Sequence, residues 1–403
     1  MKLKADLYII LIMTFAVACS SDKQSSDGLP FIDVTKDYPE KEFILTDIAD
    51  VTYLHLDTEN EEFIYSESPG GSINSFTKNT IVLFEMGSGS VLFFSRDGHP
   101  KSRFNRVGQG PEEYLLHAIT ILYNEEADDV YIAPIISNFI QVYSSEGEYK
   151  RRLTLPEGVS ASQIFSFDEQ SLLVSSHNWL FSMKQRALGE STTSYSDSTF
   201  ILISKTDGKV LDYIIVPGDT IDVRESYSIS KKTGEKRIVA RTVEHIIKCT
   251  DGFLLCNPET DTVFFFGKDK SLAPVMHKIP LIHDLDPKIV LENYIDFGQY
   301  QLLSTFPINY DQEKKVFIRD KKTGEIFLPK VVLPDYKGKE LLFRMRNKSF
   351  HENEYHFELN LIELKQAYRE NKLGGKLKEL VATLDEYEDN NVFMFVNFRS
   401  NDF

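Results

Sequence analysis

The chain has 403 residues and a formal net charge of −16 at pH 7, with 29 Phe and 19 Tyr but a single Trp. This length suffices for one large domain or two ordinary ones, and the many aromatic residues favour strands, where such side chains pack on a pleated surface. The acidic balance argues against binding to nucleic acid and against electrostatic adhesion to anionic lipid headgroups.

The N-terminus has the pattern of an export signal. Two lysines precede an uncharged apolar run at residues 7–17, which is shorter than the ~20 residues needed to span a bilayer. Small residues then precede Cys19, which resembles the lipobox of bacterial lipoproteins, where the cysteine is lipidated and becomes the mature N-terminus. We predict a signal peptide at residues 1–18 and a lipid anchor at Cys19. The alternative is an ordinary secretory signal cleaved after Ala18.

Residues 19–30 are predicted to form a flexible tether between the lipid and the folded part of the chain. This stretch is rich in Ser, Asp and Gly and has few large side chains to bury. Loss of residues 1–18, which carry a net charge of +1, would change the charge from −16 to −17. Membrane attachment would therefore depend on the lipid and not on a basic patch.

The rest of the chain repeats one local pattern, an apolar β-rich run followed by a polar turn that usually contains Gly or Asp. Five copies occupy residues 91–98, 140–147, 200–208, 263–270 and 316–324. A hairpin that recurs at near-constant spacing is typical of a β-propeller built from four-stranded blades. The length of residues 31–403 favours six blades over seven, so we predict an all-β, six-bladed β-propeller. A β-sandwich is the alternative, but it gives no reason for a repeated hairpin.

Helix-like periodicity appears only near the C-terminus, on either side of Gly374 and Gly375. The apolar positions are Phe357, Leu361, Leu364 and Tyr368 before the glycines, and Leu377, Leu380, Val381 and Leu384 after them. We therefore predict a short helical insertion at about residues 355–386, followed by a closing strand at residues 392–398. Because a closed ring hides its strand edges, that strand is expected to pair near residues 41–57.

Five stretches of the chain contain sequence phrases that recur, in the same order, in one group of proteins. They are residues 44–58, 104–114, 130–147, 260–264 and 388–394. The second stretch, Phe-Asn-Arg-Val-Gly-Gln-Gly-Pro-Glu-Glu-Tyr, resembles the GxGQGPGEY phrase of six-bladed, NHL-like β-propeller lipoproteins of Gram-negative bacterial envelopes. The resemblance implies a six-bladed fold and a lipid-anchored location at the outer membrane. It leaves open whether the protein faces the cell surface or the periplasm. It implies no catalytic residues.

The same phrase supplies the candidate binding site. Two glycines at positions 108 and 110 permit close backbone approach, and the proline that follows them stiffens the end of the loop. Arg106, Gln109, Glu112 and Tyr114 would then present hydrogen-bond donors and acceptors to a polar ligand. The alternative is that the loop only connects blades, with Arg106 and either Glu112 or Glu113 tied to a neighbouring blade.

No catalytic or metal site is predicted. The chain has no nucleophile-elbow or zincin motif. His277, His283, Asp284 and Asp286 are close in sequence, but they lack the ligand spacing of a metal site. We accordingly expect no cofactor and no catalytic residues.

These observations predict a lipid-anchored envelope propeller that acts as a non-catalytic ligand-binding or scaffold module, with nutrient uptake as the process it would serve. Its partners would be the membrane, through the lipid, and a glycan, a peptide or another protein, but not nucleic acid. The alternative is a metal-dependent propeller enzyme of the lactonase or lyase type. The ligands of such a metal come from several blades and would be scattered in the sequence.

Overall fold

The structure is a computed structural model, and its described part forms a ring of six β-sheets. It describes residues 28–58, 61–65, 72–116, 118–134, 137–157, 159–177, 200–217, 225–229, 236–240, 246–257, 260–307, 314–341 and 353–399. The predicted signal peptide, Cys19 and most of the predicted tether lie outside these residues. Within the described residues, no helix combines the length and the apolar character needed to cross a membrane.

The described chain begins with three short strands that join blades formed much later in the sequence. They are β1 (Phe31–Asp33), β2 (Glu40–Ile44) and β3 (Ala49–His55), with the one-turn helix α1 (Leu45–Ile48) between the last two.

Blades 1 to 3 are meanders of four antiparallel strands. Blade 1 consists of β4 (Ser72–Phe76), β5 (Thr80–Glu85), β6 (Val91–Ser95) and β7 (Pro100–Phe104). Blade 2 consists of β8 (Ala118–Asn124), β9 (Asp129–Pro134), β10 (Phe139–Tyr143) and β11 (Tyr149–Thr154). Blade 3 consists of β12 (Ser160–Ser166), β13 (Ser171–His177), β14 (Phe200–Ser204) and β15 (Val210–Ile214). A separate hairpin, β16 (Glu225–Ile229) and β17 (Lys236–Ala240), follows blade 3.

Blades 4 and 5 have a fifth strand each, which comes from the N-terminal segment. Blade 4 consists of β18 (Ile246–Cys249), β19 (Gly252–Cys256), β20 (Thr262–Gly267) and β21 (Leu272–Ile279), with β1 parallel to β21 at its outer edge. Blade 5 consists of β22 (Ile289–Phe297), β23 (Tyr300–Pro307), β24 (Lys315–Asp320) and β25 (Ile326–Val332), with β2 parallel to β25. The N-terminal segment thus runs along the outside of two blades.

Blade 6 joins the two ends of the chain and closes the ring. It consists of β26 (Glu354–Leu359), β27 (Val392–Phe398) and β3. In the β27–β3 pair Val392 is opposite His55 and Phe398 is opposite Ala49. Arg96 of blade 1 also binds both carboxylate oxygens of the buried Glu354 at 2.7 Å, which ties the first blade to the last.

Two helices lie between β26 and β27, and they begin later than the sequence predicts. They are α2 (Leu361–Arg369) and α3 (Gly375–Thr383). The Asn360 side chain accepts the backbone N–H of Glu363 at 2.9 Å and caps the first helix. The helical segment therefore starts at residue 361 and not near 355, because residues 354–359 pair with β27 as a strand. Phe357 belongs to that strand, although its spacing also fits a helix face.

Six clusters of buried apolar side chains fill the six interfaces between neighbouring blades. Successive residues of β6 pack alternately against the two neighbouring blades. Val91 and Phe93 belong to the cluster between blades 1 and 2, whereas Leu92 and Phe94 belong to the cluster between blades 6 and 1. Because both faces of each blade are covered, the third strands are mostly apolar. The repeated apolar runs of the sequence are these third strands, and the ring confirms the predicted six-bladed fold.

Candidate binding face on the long-loop side

The two faces of the ring carry different kinds of connection. In a four-stranded meander the first and third turns lie at one end, whereas the second turn and the link to the next blade lie at the other. The first end has short turns, such as residues 77–79, 125–128 and 167–170, and we call it the short-turn face. At the rim of the ring the third turn of blade 2 reaches the preceding blade, since Gly147 lies against Phe104 at the end of β7. The other end has the loop at residues 105–116 and the helices α2 and α3, and we call it the long-loop face.

The loop that carries the predicted site residues links β7 of blade 1 to β8 of blade 2, and Tyr114 anchors it. The fully buried Tyr114 hydroxyl donates to the carbonyl of Gly89 at 2.7 Å and accepts the backbone N–H of Arg106 at 3.1 Å. Burial raises the pKa of Tyr114 to about 12, so the hydroxyl stays a neutral donor. Gly89 has a φ of +75°, and a Cβ there would lie 2.3 Å from Cγ2 of Val107.

Side chains of blade 2 hold the backbone of this loop from the other side. The buried amide of Gln141 donates to the carbonyls of Pro111 at 3.1 Å and Glu113 at 3.0 Å. The Tyr143 hydroxyl donates to the carbonyl of Glu112 at 2.9 Å. A guanidinium nitrogen of Arg152 donates to the Pro111 carbonyl at 2.8 Å. Four hydrogen bonds therefore fix three consecutive carbonyls of the loop.

The four predicted site residues share this loop but have different surroundings. Tyr114 is in the core, and Nε of Arg106 donates to the carbonyl of Gly147 in a turn of blade 2 at 2.9 Å. The Arg106 side chain thus contacts a neighbouring blade, as the architectural interpretation expects of it, whereas the Glu113 carboxylate accepts the backbone N–H of Gly110 within the loop itself. Gln109 and Glu112 are exposed, and within the described part of the chain neither side chain has a hydrogen-bond partner. Ligand binding by the loop stays a prediction.

The residues of blade 2 that position the loop are not among the residues predicted from the sequence. Gln141 is a polar residue inside an apolar strand, which is a usable signal for a buried hydrogen-bonding role. Arg152 and Gly89 carry no comparable local signal, because their contacts depend on how two blades meet. Among the described residues, no three His, Cys, Asp or Glu side chains converge as metal ligands would. The ring of His277 instead hydrogen-bonds the Thr262 hydroxyl at 2.8 Å.

Comparison with known proteins agrees with this architecture. Residues 20–216 match the model of the family DUF5128, which is described as a 6-bladed β-propeller. No curated protein matches the chain. Among solved structures, a candidate exported protein from Bacteroides fragilis is similar at 15% identity and a TM-score of 0.59, over 90% of this chain and 98% of that one.

A member of the DUF4221 family from Bacteroides vulgatus is also similar, at 12% identity and a TM-score of 0.40, over 87% of this chain and 97% of that one. The family match covers the N-terminal half of the chain, and the blades described above continue the same architecture to the C-terminus. The chain is therefore a six-bladed β-propeller whose residues 20–216 match the DUF5128 family.

Proposed function

We propose that this protein is a lipid-anchored β-propeller of the bacterial cell envelope, of the NHL-like lipoprotein type, and that it binds a ligand or partner through its long-loop face without catalysis. The export pattern at residues 1–18, with Cys19 directly after it, supports the anchor and an outer-membrane location. Similarity to a candidate exported protein of Bacteroides fragilis is consistent with export.

One observation carries the binding role: the backbone of the loop at residues 105–116 is fixed, while two of its exposed polar side chains make no hydrogen bond within the described residues. Gln141 and Tyr143 hold the loop carbonyls, whereas the side chains of Gln109 and Glu112 are exposed. A surface whose backbone is already ordered loses little conformational entropy when it binds. An amide and a carboxylate so placed suit the hydroxyl and amide groups of a glycan or a peptide.

The role of such a module would be to hold a nutrient-derived ligand or a partner of an uptake complex near the membrane. The acidic chain, with its net charge of −16, suits neutral or basic ligands better than anionic ones.

The test is a binding screen on the mature chain with Cys19→Ala, so that lipid does not interfere. Glycan and peptide arrays are probed with this protein, and each ligand found is titrated against the double variant Gln109→Ala, Glu112→Ala. The matched control is Gln170→Ala, Glu169→Ala, which removes one amide and one carboxylate from exposed positions in the turn between β12 and β13, on the short-turn face. We expect binding to weaken by about tenfold or more in the loop variant only.

Equal binding by the loop variant and the control would contradict a binding role for this loop. Elemental analysis and a titration with chelator accompany the screen. A stoichiometric divalent metal whose removal abolishes turnover of a lactone or a uronate would overturn the non-catalytic role and favour the enzyme alternative.

A further inference from the structure

The outermost strands of two blades pair with an additional strand, whereas those of the other blades do not within the described residues. On blades 4 and 5 the outer strands β21 and β25 are covered by β1 and β2, which add in parallel. On blades 1, 2, 3 and 6 the outer strands are β7, β11, β15 and β3, and within the described ranges no further strand pairs with them. Strand β3 packs against the helix α3, which leaves the open edges of blades 1, 2 and 3. An open strand edge is a template for pairing with another chain.

Two of the three open edges carry residues that discourage such pairing. In β7 these residues are Pro100, Lys101 and Arg103. In β11 they are Lys150, Arg151 and Arg152. Proline removes a backbone donor, and long cations on an edge strand make the approach of a second strand unfavourable. Blades 1 and 2 are therefore protected without a fifth strand.

The third open edge, β15, has neither proline nor a basic residue. Leu211 is 55% exposed, Tyr213 is 57% exposed, and Ile215 just beyond the strand is 63% exposed. Tyr213 pairs with Ile201 of β14, so its backbone is in regular strand register although its side chain is exposed. Three large apolar side chains along an unprotected edge are the signature of a surface that another molecule covers.

We infer that the outer edge of β15 receives an extended segment of a partner protein as a fifth strand, in the position that β1 and β2 occupy on blades 4 and 5. The outer edges of blades 3, 4 and 5 follow one another around the ring. A fifth strand on β15 would therefore continue the parallel strand addition that β1 and β2 already make on blades 4 and 5. Main-chain hydrogen bonds would supply affinity, and alternate side chains would supply specificity. This site is on the rim of the ring and is separate from the long-loop face.

The chemistry of the edge defines the partner segment. Its alternate side chains are apolar, to cover Leu211, Tyr213 and Ile215, and it carries a lysine or an arginine to face Asp212. The Asp212 carboxylate accepts the backbone N–H of Tyr213 at 2.9 Å. A cation on the incoming strand would draw this carboxylate away and free the N–H for pairing. The net charge of −16 also attracts a basic segment.

Neither a second copy of this chain nor its own N-terminal stretch matches that chemistry. Antiparallel pairing of two β15 strands centred on Asp212 would place the two aspartates opposite each other, and each chain brings a charge of −16. Residues 20–27, which precede β1, are polar throughout and offer no apolar side chain to the edge.

The test uses a synthetic probe on the mature chain with Cys19→Ala. The probe is a peptide of about seven residues, long enough for one strand, in which lysine and isoleucine alternate. Its dissociation constant is measured by calorimetry for this protein and for the double variant Tyr213→Ser, Ile215→Ser. A second peptide has the same side chains but N-methyl groups on alternate backbone nitrogens, which removes strand pairing and keeps the charge.

We expect the variant and the N-methylated peptide each to weaken binding by about tenfold or more. The matched control is Ile362→Ser, Tyr387→Ser, which removes two other exposed apolar side chains and should leave the affinity unchanged. Equal affinity for both peptides would overturn strand addition. Unchanged peptide affinity in the β15 variant would overturn it as well. In that event, a variant that no longer forms dimers in sedimentation would assign the edge to a second copy of the chain. A variant that no longer floats with phosphatidylcholine vesicles would assign it to a membrane.

Discussion

The side-chain oxygen of Asn390 accepts the backbone N–H of Tyr65 at 3.0 Å, which links two residues 325 positions apart. The amide nitrogen of the same side chain donates to the carbonyls of Leu56 at 3.1 Å and Phe63 at 3.0 Å. Asn390 lies two residues before the closing strand β27 and is buried. One carboxamide therefore satisfies three backbone groups of the N-terminal segment and locks it to blade 6.

Replacing this carboxamide should weaken the closure of the ring. Asn390→Ala removes three buried hydrogen bonds to backbone groups, each worth on the order of 1 kcal/mol, so we expect a loss of about 3 kcal/mol in the free energy of unfolding. Denaturant titration measures this loss. Gln366→Ala, which removes only an exposed bond to Glu370, should stay within about 0.5 kcal/mol of the parent. Similar effects for both substitutions would show that Asn390 does not lock the closure.

A second prediction concerns the anchor of the candidate loop. Tyr114→Phe removes the hydroxyl that joins the Gly89 carbonyl to the Arg106 N–H, and leaves both of these groups without that partner. We expect a loss of roughly 1–3 kcal/mol in the free energy of unfolding. Tyr213→Phe removes the hydroxyl of an exposed tyrosine and is the control, expected within about 0.5 kcal/mol of the parent. Denaturant titration measures both variants. A Tyr114→Phe variant with the unfolding midpoint of the parent would show that this hydroxyl does not anchor the loop.

His55 should make the closure of the ring sensitive to acid. Burial lowers the pKa of His55 below its ordinary value of 6.5, although the negative charges of Asp389 and Asp57 act to raise it. Because the folded chain binds this proton less tightly than the unfolded chain, stability is lost as the pH falls below about 6.5. The loss continues until the pH reaches the lowered pKa of the folded state.

The measurement compares melting temperatures at about pH 7.5 and about pH 5.5, on either side of the ordinary histidine pKa. His55→Gln should lose less stability than the parent over this interval. His99→Gln, at a position whose side chain is 66% exposed, should behave like the parent. If His55→Gln and the parent lose the same stability on acidification, His55 is not the group responsible.

The fold could be predicted because its signals are local. Each copy of the repeated pattern is a third strand followed by a tight turn, and Gly98, Gly147, Gly208 and Gly324 in these turns all have positive φ values. A residue without a Cβ is favoured in that conformation, so the sequence marks the turn directly. Closure by the last strand could be predicted for a different reason: an apolar strand at the end of a ring needs a partner.

The remaining features depend on contacts that have no local signature. Strand β26 contains Phe357, whose spacing also fits the apolar face of a helix, and only its register with β27 decides between the two. The pairing of β1 with β21 joins residues far apart in the sequence through a strand of three residues. In the candidate loop, glycine and proline indicate a turn. The hydrogen bond from the Gln141 amide to the Pro111 carbonyl forms only because blades 1 and 2 pack together.

The proposed function depends on a lipid at Cys19 that would hold this propeller at a membrane. The most direct test expresses the full-length chain in a Gram-negative host and measures its partition between the membrane and soluble fractions. Cys19→Ala should move the protein out of the membrane and detergent phases, whereas Cys249→Ala, which removes a cysteine within blade 4, should leave it there. Retention of Cys19→Ala in the membrane to the same extent as the parent would contradict the claim.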